Sequence, residues 1–248
     1  MIHKTKGIVL RAIKYGETSL VVTVLTELFG VQTYMVNGVR SNKKTGSKAV
    51  MYQPAAILEM EIYHNEQKAM QRIKECNWSF LYQDILSDVV KNSIALYMVE
   101  LLYKTLKQPE QNSDLFYFCE DALQQLDQAS NIVAANFSLY FTLQLPQFFG
   151  FRISDIDSSM GAVENIYLDL QEGTFTPTHP THPHFLEGED ALITSELLKI
   201  MQPDELDQLK MNHLKRRTLL QKYLDYYALH IPDFGQMKTL MVMQEVLG

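Results

Sequence analysis

Six basic side chains in the first fifty residues offer the most readable chemistry in this chain. Arg11 and Lys14 stand near the end of a β-rich run, and Arg40, Lys43, Lys44 and Lys48 crowd a polar stretch that opens at Gly38. Cations interleaved with Gly and Ser can follow a phosphate backbone without reading base sequence. Tyr15, Tyr34, Tyr52 and Tyr63 lie in the same region, either as stacking faces or as core aromatics. The bland alternative is a solvated basic loop that keeps a domain in solution.

The charge is unevenly spread. Met1 to Phe80 carries eleven Lys/Arg against six Asp/Glu, a net +5, and Leu81 to Gly248 carries eleven against twenty-three, a net −12, which together make the formal −7. A basic start joined to an acidic remainder favours polyanion binding at one end and a differently charged surface at the other. At 248 residues and 46% hydrophobic, the chain is long enough for one large domain or two ordinary ones. No run approaches the ~20 apolar residues of a membrane-spanning helix, and the opening residues lack the apolar core of a signal peptide. The expectation is a cytoplasmic protein with no membrane contact. Cys76 and Cys119 are read as two free thiols, with Cys119 buried after Phe116-Tyr117-Phe118.

The elements that must position the cations come next. Gly7–Ile13, Leu20–Thr26 and Val31–Val36 are β-rich runs with turn residues between them. Ala55–Tyr63 alternates from Leu58 onward, and Met70–Trp78 is a weaker fifth run. About five short strands in about 80 residues predict a small barrel. From Ile85 to Leu106 the apolar spacing turns helical. A second helix is expected with Ser113 as its cap, a third over Asn131–Phe149, and others over Asp190–Met201, Pro203–Met211, His213–Leu229 and Met237–Leu247. Between Phe151 and Glu187 the helical period is lost and Pro and Gly accumulate. The expected organisation is residues 1–80 as a nucleic-acid-binding domain and 81–248 as a helical domain, with a Pro/Gly-rich insertion at about 151–187.

Three other groupings bear on function. His179, His182 and His184 are spaced as metal ligands could be, but no cysteine is nearby, and Asp155, Asp157 or Glu164 would have to complete a shell. No metal is assigned. Phosphate-binding glycine loops, nucleophile elbows and paired His-Glu helix motifs are missing from the sequence, so no catalytic residue and no cofactor is expected. Lys215, Arg216 and Arg217 form a compact basic triplet in the acidic part, among Leu214, Leu219, Leu220, Tyr223 and Leu224. It reads either as a cationic rim beside an apolar groove for an acidic-hydrophobic peptide tail or as an exposed face balancing Asp204, Glu205 and Asp207.

Gly7-Ile-Val-Leu-Arg-Ala-Ile-Lys-Tyr-Gly-Glu-Thr-Ser-Leu-Val-Val-Thr-Val-Leu-Thr-Glu-Leu-Phe-Gly30, followed by Asn37-Gly-Val-Arg40, resembles the N-terminal pattern of the RecO family of bacterial DNA repair proteins. Gln144-Leu-Pro-Gln-Phe-Phe-Gly-Phe151 and Tyr223-Leu-Asp-Tyr-Tyr-Ala-Leu-His-Ile231 with Lys238 extend the resemblance over most of the chain. The resemblance implies an α+β, multidomain protein: an N-terminal OB-fold β-barrel, then an all-α helical domain with a small irregular or β insertion. It implies a recombination mediator rather than an enzyme. Such a protein binds single- and double-stranded DNA, anneals complementary strands, associates with RecR, engages the acidic tail of single-stranded-DNA-binding protein, and helps RecA load on coated gaps. Many members carry a four-cysteine zinc site after the Phe-Gly-Phe segment. Arg152–Glu187 contains no cysteine here, so zinc is not carried over, and Ile153, Ile156, Ile166, Tyr167, Leu168, Leu170 and Phe175 are left to hold the insertion by packing.

The leading expectation is therefore a DNA-binding mediator with Arg11, Lys14, Arg40, Lys43, Lys44 and Lys48 on phosphates and Lys215, Arg216 and Arg217 on a partner's tail. The alternatives are a non-catalytic protein-interaction scaffold with incidental DNA contact, and a metal-dependent enzyme built on the histidines.

Overall fold

The computed structural model describes residues 1–39, 48–108, 110–156 and 166–246. They form two compact units, Met1–Gln128 and Ala129–Gly248.

In the first unit, β1 (Ile2–Tyr15), β2 (Ser19–Thr26), β3 (Gly30–Val36), β4 (Ile57–Tyr63) and β5 (Gln71–Trp78) close into a barrel in the order β1-β2-β3-β5-β4. The β3–β5 pairing is parallel and the other four are antiparallel. The five strands expected from the sequence are all present. Alternation works as period two requires: Leu58, Met60 and Ile62 point into the barrel while Glu59 and Tyr63 face outward. Val9, Val22, Val24 and Tyr34 complete the interior. Gly7 is also inside, where a Cβ would sit 2.5 Å from Met60 Cε and 2.6 Å from Val24 Cγ1. No larger residue fits there without repacking.

β1 is fourteen residues long because it serves two neighbours, β4 along its first half and β2 along its second. Its register slips between Val9 and Arg11, a bulge that resets which side chains face inward. Ile8, Leu25 and Ile57 are mutual neighbours on the outside of the barrel yet fully buried. α1 (Val89–Thr105) lies against β1, and α2 (Ser113–Gln128) contacts α1 in turn. The strands thus end at Trp78, close to the expected boundary at residue 80, but the first compact unit continues to Gln128 because an apolar outer patch of the barrel needs a cover.

Asp127 fastens that cover. Its carboxylate accepts the backbone N–H groups of Gln83, Asp84 and Ile85, each at 2.9 Å. Its backbone carbonyl accepts from Lys91 Nζ at 2.8 Å, and Lys91 also reaches Asp84 at 2.7 Å. A buried lysine is tolerable only when paired and hydrogen-bonded, as this one is. α2 is capped by Asn112, whose Oδ1 accepts the Leu115 N–H at 2.9 Å. Ser113, the expected cap, is instead the first helical residue.

The second unit holds α3 (Asn131–Gln144), α4 (Gly188–Lys199), α5 (His213–His230) and α6 (Lys238–Val246), with short 3-10 turns at Leu145–Phe148 after α3 and at Pro203–Gln208 between α4 and α5. Ser130 caps α3, and Asn212 caps α5. Phe137, Phe141, Tyr223, Tyr226 and Tyr227 are its largest buried side chains. Their hydroxyls are satisfied: Tyr227 donates to Thr142 O at 2.8 Å, and Tyr223 pairs with Thr194 Oγ1 at 2.8 Å. The insertion holds a three-stranded antiparallel sheet, β6 (Tyr167–Asp169), β7 (Thr174–Thr176) and β8 (Phe185–Glu187), in the order β7-β6-β8. Ile153, Leu168, Leu170 and Phe175 are buried, while Ile156, Ile166 and Tyr167 are half-buried. No helix among the described residues is long and apolar enough to cross a membrane.

Candidate nucleic-acid interface

Arg11 leaves β1 just past the bulge and points outward; its Nη1 donates to Tyr103 Oη at 3.1 Å, and its guanidinium lies 5.4 Å from the centre of the Tyr103 ring. That hold fixes a planar cation on an exposed surface. Lys14 stands opposite Leu20, a core residue, so it leaves the strand on the other face from Arg11, at the mouth of the barrel. Lys48 is exposed at the start of a 3-10 turn over Lys48–Tyr52. Arg40, Lys43 and Lys44 lie outside the described residues. Of the four tyrosines considered, Tyr34 and Tyr52 are core, while Tyr15 and Tyr63 are exposed.

Strand register reveals a division of the barrel surface that composition alone does not show. Apart from the covered Leu25, the outward side chains of β1 past the bulge, of β2 and of β3 are Arg11, Ile13, Tyr15, Ser19, Val21, Thr23, Val31, Thr33 and Met35, with no carboxylate among them. One row runs Ile13–Val21–Met35–Arg72–Tyr63 across four pairings. Arg11 and Arg72 therefore flank an uncharged, partly apolar face, with Tyr63 beside Arg72.

The adjoining outer surface of β4, β5 and the first half of β1 is charge-mixed. Glu61 accepts from Lys74 at 2.7 Å and pairs with Lys4 at 3.5 Å. The hydrogen bond and charge of Lys74 hold its carboxyl below the usual carboxylate range. Lys6 pairs with Glu120 on α2 at 2.9 Å. Polyanion attraction is blunted where cations already have carboxylates and is undiluted where none is near.

The remaining sequence candidates lie in the second unit. Lys215 is taken up by Asp190 at 2.6 Å and Glu189 at 2.9 Å, which raise its pKa. Arg216 donates to Met211 O at 2.6 Å, while its Nε is buried with no partner among the described residues. It lines a groove of about 660 Å³ with Ile132, Ala135, Leu209 and Met211. Arg217 is exposed. His182 Nε2 sits 3.1 Å from Asp169 Oδ2, and His179 turns back to Pro180 O. No group of three or more His, Cys, Asp or Glu among the described residues is arranged to hold a metal ion. Burial pushes the Cys76 thiol up to about 11 and Cys119 higher still.

Comparison with known proteins agrees over the whole length. The family profile for the N terminal of Recombination protein O matches residues 1–82, and that for its C terminal matches residues 86–157. A DNA repair protein RecO of Bacteroides fragilis (strain YCH46) is 33% identical over 247 residues, covering 99% of both chains. Those of Azobacteroides pseudotrichonymphae genomovar. CFP2 and Flavobacterium psychrophilum are 31% and 32% identical, each covering 99% of both chains. The chain belongs to the RecO family. It is a family of DNA repair and recombination proteins, and the closed barrel occupies the RecO N-terminal segment. The RecO C-terminal profile ends at residue 157, before β6–β8 begin.

Proposed function

We propose that this protein is a DNA-binding recombination mediator. The barrel tracks the phosphates of single- and double-stranded DNA, and the protein anneals complementary strands without nucleotide hydrolysis. With RecR it helps RecA load on gaps coated by single-stranded-DNA-binding protein, and it works at the nucleoid. The observation that carries the DNA-binding reading is the carboxylate-free outer face of β1–β2–β3 between Arg11 and Arg72 in a chain of net charge −7. Arg11, Lys14, Arg40, Lys43, Lys44 and Lys48 supply phosphate contacts, with Arg72 added from the fold.

The partner tail is assigned to the groove beside Arg216. Its walls are largely apolar, and the buried Nε offers an unused donor to an acidic-hydrophobic C-terminus. Arg217 adds a rim charge, and Lys215 acts through its hold on Asp190.

The test is fluorescence anisotropy with labelled single- and double-stranded oligonucleotides, together with annealing of complementary strands in the absence of ATP. Binding that weakens as salt rises and faster annealing support the reading. A protein that ignores oligonucleotides even in dilute buffer contradicts it.

A further inference from the structure

A cleft of about 720 Å³ opens in the first unit where the β2–β3 turn and the start of β3 meet the β4–β5 loop and the residues after α1. Val31 and Thr33, both on the carboxylate-free face, form part of its wall, so the cleft continues that face. Its volume is that of an ordinary small-ligand site. Phe29 and the His64 ring stack at 3.9 Å between centroids, 18° from parallel, and both line it. His64 Nδ1 is buried with no partner among the described residues. Such an orphan marks incomplete hydrogen bonding.

Half of the polar lining residues are glutamines. Gln32 spends its Nε2 on Phe29 O at 2.8 Å, and Gln108, which also lines the cleft, is exposed. Lys68 and Lys107 flank the opening against a single carboxylate, Glu66. Side-chain amides offer both donors and acceptors, as base edges demand.

His64, Lys68 and Gln71 also line a second cleft of about 510 Å³ that contains Met35, Tyr63 and Arg72, so these three residues form the partition between the two. The partition is rigid. Gln71, 3% exposed, accepts from Asn65 N at 3.0 Å and donates to Asn65 O at 2.9 Å and Lys68 O at 2.7 Å. A loop pinned this way presents Lys68 without a backbone ordering cost on binding.

We propose that the cleft beside Phe29 and His64 takes an unstacked base of single-stranded DNA whose phosphates pass over Lys68 toward Arg72. A base in a duplex cannot enter, so the cleft discriminates single strands from duplex on a barrel whose phosphate track serves both. This inference rests on the DNA-binding reading of the barrel.

The test fills the cleft with aliphatic bulk at a lining residue off the carboxylate-free face, Ala69→Leu, leaving every charge in place. Anisotropy should show about tenfold weaker binding of a single-stranded oligonucleotide and duplex binding within about twofold of the wild type. Equal single-strand affinity in the two proteins overturns the cleft alone, because duplex binding still reports the phosphate track. No binding of either DNA by the wild type overturns the wider reading. A second measurement needs no variant: a 2-aminopurine oligonucleotide should brighten when saturated with wild-type protein, as its base leaves the stack. Unchanged emission at saturation overturns the proposal.

Discussion

Met35 and Arg72 are direct partners where β3 and β5 close the barrel in parallel, so a methionine of the uncharged face lies beside a cation from the far end of the domain. Arg11 holds the other edge of that face through Tyr103. Replacing either arginine with Ala should weaken oligonucleotide binding and lower the slope of log affinity against log salt by about one. Lys74→Ala should leave both nearly unchanged, since Lys74 is already spent on Glu61. Salt titrations of the three variants separate the two faces.

Arg40, Lys43 and Lys44 fall within five residues of one another in the sequence. Reversing all three to Glu should weaken DNA binding and flatten its salt dependence, because three released counterions are lost from the equilibrium. Unchanged binding in the same anisotropy assay removes these residues from the interface.

Asp127→Ala tests what holds the helices to the barrel. It strands three backbone N–H groups and weakens the environment of buried Lys91, whose side chain is only 5% exposed. The loss expected in urea unfolding is about 3 kcal/mol. A loss under about 1 kcal/mol would mean that water replaces the carboxylate readily.

Gly173 adopts φ +66°, and a Cβ there would lie 2.8 Å from Tyr226 Oη, which itself donates to Phe151 O. Gly173→Ala should cost about 1–2 kcal/mol through strain and displacement of Tyr226. Tyr226→Phe combined with Gly173→Ala should cost less than the sum of the two single changes in a double-mutant cycle.

His64 supplies a pH dependence. Burial first, and the neighbouring His3 second, hold its imidazole below the ordinary histidine value. The folded protein therefore resists a proton that the unfolded chain accepts. Its contribution is complete above about pH 6.5 and is lost as pH falls from there through the lower folded-state value. The urea midpoint should drop between pH 7.5 and pH 5.5 by more in wild type than in His64→Gln. Equal drops would show that His64 carries no linkage.

The strands were legible because Gly16 and Gly30 stand at reversals with left-handed φ, and because Leu58, Met60 and Ile62 alternate cleanly. The true start of β1 was not, since His3-Lys4-Thr5-Lys6 reads as polar tail until β4 pairs with it. The Leu10 bulge hides inside an apolar run, yet it decides that Arg11 faces outward and Lys14 the barrel mouth rather than the reverse. α1 begins at Val89 rather than Ile85 because Asp127, forty-two residues from Ile85, captures the backbone there. Arg72 was overlooked in a weak fifth run, and only the pairing with Met35 gives it a role. Likewise, nothing local tells that Lys215 is held by Asp190. Propensity and periodicity are local signals, while charge pairing and barrel closure are set across the chain.

The most direct measurement compares two double variants by oligonucleotide anisotropy across a salt series: Arg11→Ala with Arg72→Ala, and Lys4→Ala with Lys74→Ala. Each removes two positive charges from the barrel. The first pair should lose most of the affinity and about two units of salt slope, and the second should bind almost as the wild type does. Equal losses in both would mean that net charge alone drives binding, and the carboxylate-free face would have no special part in it.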